Sequence, residues 1–257
     1  MTLVSRYMSL IKFEHTIFAL PFALISLLVA SGGRPSLGVI LWVLVAMVGA
    51  RSAAMAFNRL ADRHLDAANP RTADRDIPTG RVSVRGAAVF VVLASVLLGV
   101  AAWRLNPLCL KLSPVALAVV LGYSYLKRVS AAAHVVLGLG LAIAPVGAWL
   151  AVTGGFAAFP LWLAAGVMFW VAGFDTIYGC QDVDFDRRAG LHSLAARFGI
   201  PAALRLSRLF HLLAVVGLAV AFTRPPVAYP DGGSSAALGV ASLAGVGVMA
   251  MLLIWEQ

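Results

Sequence analysis

Long apolar stretches alternate with short polar segments along the whole chain. Each apolar stretch runs for about 18–22 residues, which is the length of helix that crosses ~30 Å of hydrocarbon. The stretches show no period-two alternation, which is the pattern of a membrane β-barrel. The pattern therefore predicts an all-α, polytopic transmembrane helical bundle with eight spans, at residues 13–31, 36–57, 86–103, 108–126, 131–153, 159–180, 202–223 and 235–255.

The composition agrees with a membrane protein. The chain has 257 residues, a mean hydropathy of +0.92 and only 12% charged residues, so a water-soluble core cannot bury its apolar surface. No soluble domain or long linker interrupts the apolar runs, which predicts one integral-membrane domain over residues 1–257. The first apolar run is expected to be a retained helix rather than a signal peptide, because Glu14 and His15 stand at its start and seven more runs follow.

The basic residues fall mainly on one side of the predicted bundle. The N-terminus, the segments after spans two, four and six, and the start of span seven hold 15 of the 20 Lys and Arg residues. The positive-inside rule places these segments, and both termini, in the cytoplasm. The net charge of +9 is then mostly a topology signal. Without a soluble basic surface, no nucleic-acid partner is expected.

One acidic cluster follows the second predicted span. Asn58, Asp62 and Asp66 recur every four residues, so a continuing helix presents them on one face. Arg51 shares that face at a depth where an unpaired charge is costly. A solvated, salt-bridged helix end would explain an Asp- and Arg-rich loop, but a charge inside a span indicates a functional site.

A second acidic cluster ends the sixth predicted span. Asp175, Tyr178, Asp182 and Asp186 follow one another at steps of three, four and four, again on one helical face. Facing carboxylates repel one another unless cations neutralise them, and Mg²⁺ combines such carboxylates with phosphate oxygens. Interleaved Arg and Lys residues hold further phosphate oxygens. The pattern predicts a Mg²⁺ and diphosphate site at the rim of an apolar bundle, which suits a diphosphate carrying a lipid chain.

These motifs resemble the UbiA superfamily of intramembrane prenyltransferases. The family's first signature corresponds to Asn58, Asp62, Asp66, Arg71, Thr72, Arg75, Pro78 and Gly80. Its second corresponds to Asp175, Thr176, Tyr178, Asp182 and Asp186, followed by Gly190 and Ser193. The segment YSYLKR at 123–128 is similar to the family's aromatic-then-basic segment. The match is collinear over essentially the whole chain, and two long motifs in the right places make it specific.

The resemblance implies a role for each group of motif residues. A central cavity would hold Mg²⁺ with a polyprenyl diphosphate, using carboxylates at its cytoplasmic side: Asp62, Asp66, Asp182 and Asp186. Basic residues would steady the pyrophosphate: Arg71, Arg75, Lys127 and Arg128. Asn58 would support the metal cluster or the acceptor, and Arg51 would pair with the carboxylate of an aromatic acid. Asp175 and Tyr178 match positions close to the reacting carbon.

The resemblance favours the bacterial branch that prenylates 4-hydroxybenzoate or dihydroxynaphthoate for ubiquinone or menaquinone, with a slight preference for menaquinone. This branch implies the bacterial inner membrane, with the active-site loops facing the cytoplasm. Arg59, at a position where many members have Asp, is one of the residues that favour this branch. One feature departs from the family. The family usually has nine spans, so we expect either a shortened copy or a bundle that functions with eight.

Two other classes place carboxylates in a helical bundle. A cation or proton transporter would hold them near the bilayer midplane on broken helices. A CDP-alcohol-type lipid transferase would carry both Asp pairs on a single run, whereas these two clusters stand more than 100 residues apart. The histidines at 15, 64, 134 and 211 show no metal-ligand spacing and are interpreted as helix-end or packing residues.

Overall fold

The structure is a computed structural model that describes residues 3–11 and 19–223. Within these ranges every regular element is helical, which confirms the predicted all-α class. The helices are α1 Leu3–Ile11, α2 Leu20–Ala30, α3 Leu37–Ala61, α4 Arg63–Ala68, α5 Val84–Leu105, α6 Pro107–Leu126, α7 Ala133–Thr153, α8 Ala158–Gly179, α9 Val183–Arg188, α10 Leu194–Phe198 and α11 Ile200–Thr223. A short 3₁₀ turn at Cys180–Asp182 joins α8 to α9.

Several helices begin where a polar side chain caps the first turn. Ser36 accepts a hydrogen bond from the Val39 amide at the start of α3. Asn106 does the same at the start of α6, directly before Pro107, which has no amide hydrogen to satisfy. Asn106 is also the C-cap of α5, so this one residue ends α5, starts α6 and sets the short turn between them.

Six helices in the described residues are long and apolar enough to cross a membrane: α3, α5, α6, α7, α8 with its continuation to Arg188, and α11. These match the second to seventh predicted spans, and they make the protein an integral membrane protein. Of the predicted first span, the structure describes an apolar helix of 11 residues, α2. The predicted span at 235–255 lies outside the described residues, so the prediction of eight spans stays a prediction.

Close backbone approach fixes how the central helices pack. α8 lies between α7 and α11. A Cβ atom built on Gly138 of α7 would stand 2.1 Å from the backbone oxygen of Met168 in α8. In lipid, helices associate largely through such close packing of small residues. Gly138 is therefore required by the α7–α8 contact itself.

This contact gives a stability prediction. Gly138→Ala forces a methyl group against the backbone of α8, so we expect the protein to lose at least about 1–3 kcal/mol of stability through overpacking. Gly140→Ala is the matched control, since its Cβ would meet only Val120 Cγ1 at 3.7 Å. Thermal melting of both variants in the same detergent measures the effect. Equal melting temperatures for the two would contradict the packing described here.

The amphipathic helix α1 lies against the segment that follows α4. Tyr7 stacks on Phe90 with ring centroids 5.0 Å apart, and Leu10 and Ile11 are buried. Ser9 donates a hydrogen bond of 3.0 Å to Asp76 Oδ2. Arg81 Nε lies 2.9 Å from the other oxygen of the same buried carboxylate. α1 thereby anchors the loop that carries the basic residues of the first motif.

Candidate active site

The first acidic motif lies where α3 passes into α4. Asp62 interrupts the regular helix, with α3 ending at Ala61 and α4 starting at Arg63. The amide of Asp62 still bonds to Asn58 O at 2.9 Å, and the amide of Asp66 bonds to Asp62 O at 2.8 Å. The hydrogen bonds between residues four apart therefore continue across this interruption. Asn58 Nδ2 donates to Asp62 Oδ2 at 3.2 Å, as expected for side chains on one face.

Asp62 is the most deeply buried carboxylate of the motif, at 2% exposure. Lys127 Nζ lies 2.5 Å from its Oδ2, and Arg128 Nη2 lies 3.1 Å from its Oδ1. Both basic residues follow the end of α6, in the segment YSYLKR. The structure thus brings this segment to the first motif, with two cations on one buried anion.

Asp66 has one paired oxygen and one free oxygen. Arg75 Nη1 lies 2.6 Å from its Oδ1. Its Oδ2 is buried and has no hydrogen-bond partner among the described residues. Thr72 Oγ1 donates to the backbone oxygen of Asp66 at 3.0 Å and holds the turn in place. An orphaned carboxylate oxygen in a buried, basic environment fits a cation ligand.

The second acidic motif reaches the first through Asp182. Arg71 donates to both of its carboxylate oxygens, with Nε 2.8 Å from Oδ1 and Nη2 on Oδ2. Asn69 Nδ2 also donates to Oδ1, at 3.1 Å. The hydrogen bond to Asp182 raises the pKa of Arg71 above its ordinary value. This fork links segments more than 100 residues apart in the chain.

Tyr178 and Asp186 stand four residues before and four residues after Asp182 in the chain. Arg71 Nη1 donates to the Tyr178 hydroxyl at 3.3 Å, and its guanidinium carbon lies 5.3 Å above the Tyr178 ring. Asp186 is half-buried in α9, within electrostatic range of Asp182 and Lys127. The structure therefore gathers the predicted carboxylates and the predicted basic residues at one end of the bundle.

An apolar cavity of about 610 Å³ lies between α3, α5, α6, α7 and α8. Its lining is almost entirely aliphatic, and its polar members include Arg51 and Tyr123. The Nε atom of Arg51 is buried and has no hydrogen-bond partner among the described residues. A buried guanidinium without a full set of acceptors is costly. Arg51 therefore fits an anionic ligand that reaches into the cavity.

Two site residues were not identified by the spacing of the motifs. His134, interpreted above as a helix-end or packing residue, is buried near the start of α7, and its Nδ1 atom also lies 2.7 Å from Asp175 Oδ2. Arg59 is also buried, at 8% exposure, and lies within electrostatic range of Asp62 and Asp66. Tertiary packing of α7 against α8 brings His134 to Asp175, whereas Arg59 stands on α3 in the turn before Asp62.

The residues present fit a magnesium ion, although the carboxylates are not grouped around one point. Within the described ranges, no three His, Cys, Asp or Glu side chains form a set that could hold a metal by themselves. Instead, the carboxylates of Asp62 and Asp182 are paired with basic side chains. The free Oδ2 of Asp66 and the all-oxygen donor set are nevertheless what Mg²⁺ prefers, since it takes one or two carboxylates together with phosphate oxygens.

Known proteins resemble this chain in both sequence and fold. Residues 19–257 match the model of the UbiA prenyltransferase family. The chain belongs to the UbiA prenyltransferase family. A relative from Shewanella woodyi, named 4-hydroxybenzoate octaprenyltransferase, is 34% identical over 177 residues, which cover 68% of this chain and 62% of that protein. A relative of the same name from Tolumonas auensis is 33% identical over 196 residues, covering 75% of this chain and 68% of that protein.

Solved structures of UbiA homologues share the fold. The apo structure of a homologue from Aeropyrum pernix superposes with a TM-score of 0.78 at 32% identity, covering 93% of this chain and 98% of that one. A homologue from Archaeoglobus fulgidus, solved with DMAPP and Mg²⁺, superposes with a TM-score of 0.75 at 20% identity, covering 96% of this chain and 86% of that one. The second likeness concerns the fold alone.

Proposed function

We propose that this protein is a Mg²⁺-dependent transferase that moves a polyprenyl group from its diphosphate to a ring carbon of an aromatic acid. The observation that carries the proposal is the junction of the two motifs. Four basic side chains and two Asp-rich segments meet beside an apolar cavity that also contains a buried arginine. The charged junction suits a diphosphate head, the apolar cavity suits a hydrocarbon chain, and the buried arginine suits an acidic acceptor.

The basic residues would bind the diphosphate by exchanging partners. Lys127 and Arg128 pair with Asp62, Arg71 with Asp182, and Arg75 with Asp66. Each basic side chain is already held beside a carboxylate. Binding a phosphate oxygen therefore costs little further conformational entropy. Arginine forks suit phosphate oxygens because they donate two parallel hydrogen bonds.

The same exchange would release carboxylate oxygens for the metal. Asp62, Asp66, Asp182 and Asp186 would hold Mg²⁺, with Asn58 supporting Asp62 through its hydrogen bond of 3.2 Å. Bound Mg²⁺ supplies electrostatic stabilisation of the negative charge that grows on the departing pyrophosphate. The Archaeoglobus fulgidus homologue with DMAPP and Mg²⁺ supports this combination of ligands.

The acceptor would lie at the inner end of the site. Arg51 would pair with its carboxylate, which satisfies the orphaned Nε. The bond between the prenyl carbon and the diphosphate oxygen breaks, the acceptor ring carbon bonds to the prenyl carbon, and the ring then loses its proton. Asp175 and Tyr178 would lie beside this ring, where Asp175 would accept the proton. The apolar walls exclude water from the electrophilic prenyl carbon.

The relatives named 4-hydroxybenzoate octaprenyltransferase support 4-hydroxybenzoate as an acceptor. Dihydroxynaphthoate, the acceptor of a menaquinone route, remains the other candidate. The positive-inside distribution supports a site that faces the cytoplasm from the bacterial inner membrane. A transporter is disfavoured because the carboxylates lie where helices end. A CDP-alcohol transferase is disfavoured because the Asp pairs come from two distant segments.

The test is Mg²⁺-dependent release of pyrophosphate by the purified protein from a polyprenyl diphosphate. 4-Hydroxybenzoate, 1,4-dihydroxy-2-naphthoate and 1,4-dihydroxy-6-naphthoate are offered in turn, with EDTA as the metal-free control. We expect pyrophosphate and prenylated product with one acceptor, in equal amounts, and neither with EDTA. Absence of Mg²⁺-dependent binding of the prenyl diphosphate would overturn the proposal.

A further inference from the structure

His134 connects three helices beside the proposed acceptor. It stands near the start of α7, and 6% of its surface is exposed. Its Nδ1 atom lies 2.7 Å from Asp175 Oδ2 of α8. Its Nε2 atom lies 3.3 Å from the backbone nitrogen of Leu194, the first residue of α10. Both ring nitrogens therefore have partners within the described residues.

The two partners determine where the ring proton lies. A backbone amide only donates, so Nε2 must accept and carries no proton. The proton of the neutral ring is then on Nδ1, which donates it to Asp175. This tautomer is assigned from the hydrogen-bond partners. His134 thus acts as a donor that fixes one oxygen of the Asp175 carboxylate.

The surrounding packing holds this ring in one place. A Cβ atom on Gly179 of α8 would lie 3.2 Å from His134 Cε1, so the glycine leaves room for the ring. Asp175 is more open than its partner, with 33% of its side chain exposed. It also lies within electrostatic range of Tyr123, which lines the cavity next to Arg51. A buried histidine therefore holds a partly open carboxylate within electrostatic range of Tyr123 of the cavity lining.

We propose that His134 is a positioning residue for prenyl transfer, which orients the Asp175 carboxylate toward the acceptor. This inference rests on the proposed function. After the carbon–carbon bond has formed, the ring C–H bond breaks, its electron pair restores the aromatic ring, and the proton passes to Asp175. His134 keeps its own proton throughout. The hydrogen bond that His134 Nε2 accepts from the Leu194 amide also couples the position of Asp175 to the start of α10, just after the second motif.

Two conservative substitutions separate the two hydrogen bonds. The side-chain amide of Asn in His134→Asn takes the place of Nδ1 and retains the donor to Asp175. The longer side chain of His134→Gln places its oxygen near Nε2, which retains the acceptor for Leu194 and loses the donor to Asp175. His134→Ala removes both. Comparing His134→Asn with His134→Gln therefore tests the hydrogen bond donated to Asp175 rather than burial or side-chain size.

We measure kcat, and KM for the prenyl diphosphate, in wild type and the three variants. Because misplacing a reacting group by ~1 Å costs about 100-fold, we expect His134→Gln and His134→Ala to lose about 100-fold in kcat. We expect His134→Asn to stay within about 10-fold of wild type, since the donor remains. KM for the prenyl diphosphate should change little, because His134 does not contact the basic cluster.

A spectroscopic measurement checks the geometry without activity. Nitrogen-15 NMR of the histidine rings should identify His134 as the neutral tautomer with its proton on Nδ1, and this signal should shift in Asp175→Asn. Wild type without prenyl transfer would overturn the proposed function and this role with it. An active wild type whose His134→Gln matches His134→Asn in kcat, or whose His134 carries its proton on Nε2, would overturn the role of His134 alone.

Discussion

Alanine in place of Asp182 should reduce Mg²⁺-dependent prenyl transfer by at least about 100-fold, because it removes a proposed metal ligand that stabilises the leaving pyrophosphate. It also removes the carboxylate that holds the Arg71 fork between the two motifs. Pyrophosphate release under saturating substrate measures the effect. Asp184→Ala is the matched control: Asp184 is exposed in the same segment, and this variant should keep wild-type turnover.

The companion variant Asp62→Ala is expected to lose as much activity for a related reason. Asp62 is almost fully buried, and its loss leaves Lys127 and Arg128 without their carboxylate. Because removing one partner of a buried ion pair destabilises proteins by about 3–5 kcal/mol, thermal melting must accompany the assay. Asp182 is more exposed, so Asp182→Ala should fold normally. A folded Asp182→Ala protein with wild-type turnover would exclude Asp182 from the metal site.

The second large effect concerns the acceptor. Arg51→Gln should lower kcat/KM for 4-hydroxybenzoate, or for whichever carboxylate acceptor is turned over, by about 100-fold. Truncating one member of a buried, hydrogen-bonded charge pair typically costs 2–5 kcal/mol or more, which corresponds to about 30-fold to several thousand-fold and includes the factor expected here. The KM for the prenyl diphosphate should change little, since Arg51 lies in the cavity and away from the diphosphate cluster.

An uncharged acceptor makes this experiment specific. The amide analogue of the acceptor lacks the negative charge, so wild type should discriminate against it and Arg51→Gln should discriminate far less. Arg104→Gln serves as the control variant, because Arg104 stacks over Trp42 at the end of α5 and not in the cavity lining. Equal preference for acid over amide in wild type and Arg51→Gln would show that Arg51 does not bind the carboxylate.

Local patterns were sufficient for the parts of this protein that repeat along one helix. The apolar runs predicted six of the spans, since hydrophobic length in a bilayer is a property of each segment alone. The four-residue spacing of Asn58, Asp62 and Asp66 predicted a common face, and the hydrogen bonds at 2.9 Å and 2.8 Å continue that face across the interruption at Asp62. The spacing did not predict the interruption of the helix at Asp62.

The sequence by itself determined the helical class, the membrane setting and which residues belong to the two acidic motifs. The tertiary structure alone decided how these residues are paired. The pairs Asp62 with Lys127, Asp182 with Arg71, and His134 with Asp175 each join segments that are distant along the chain. A lone histidine near a helix start carries no periodic signal, so its role depended on α7 packing against α8. Periodicity records which face a residue occupies, whereas a hydrogen bond depends on which face of another helix lies opposite.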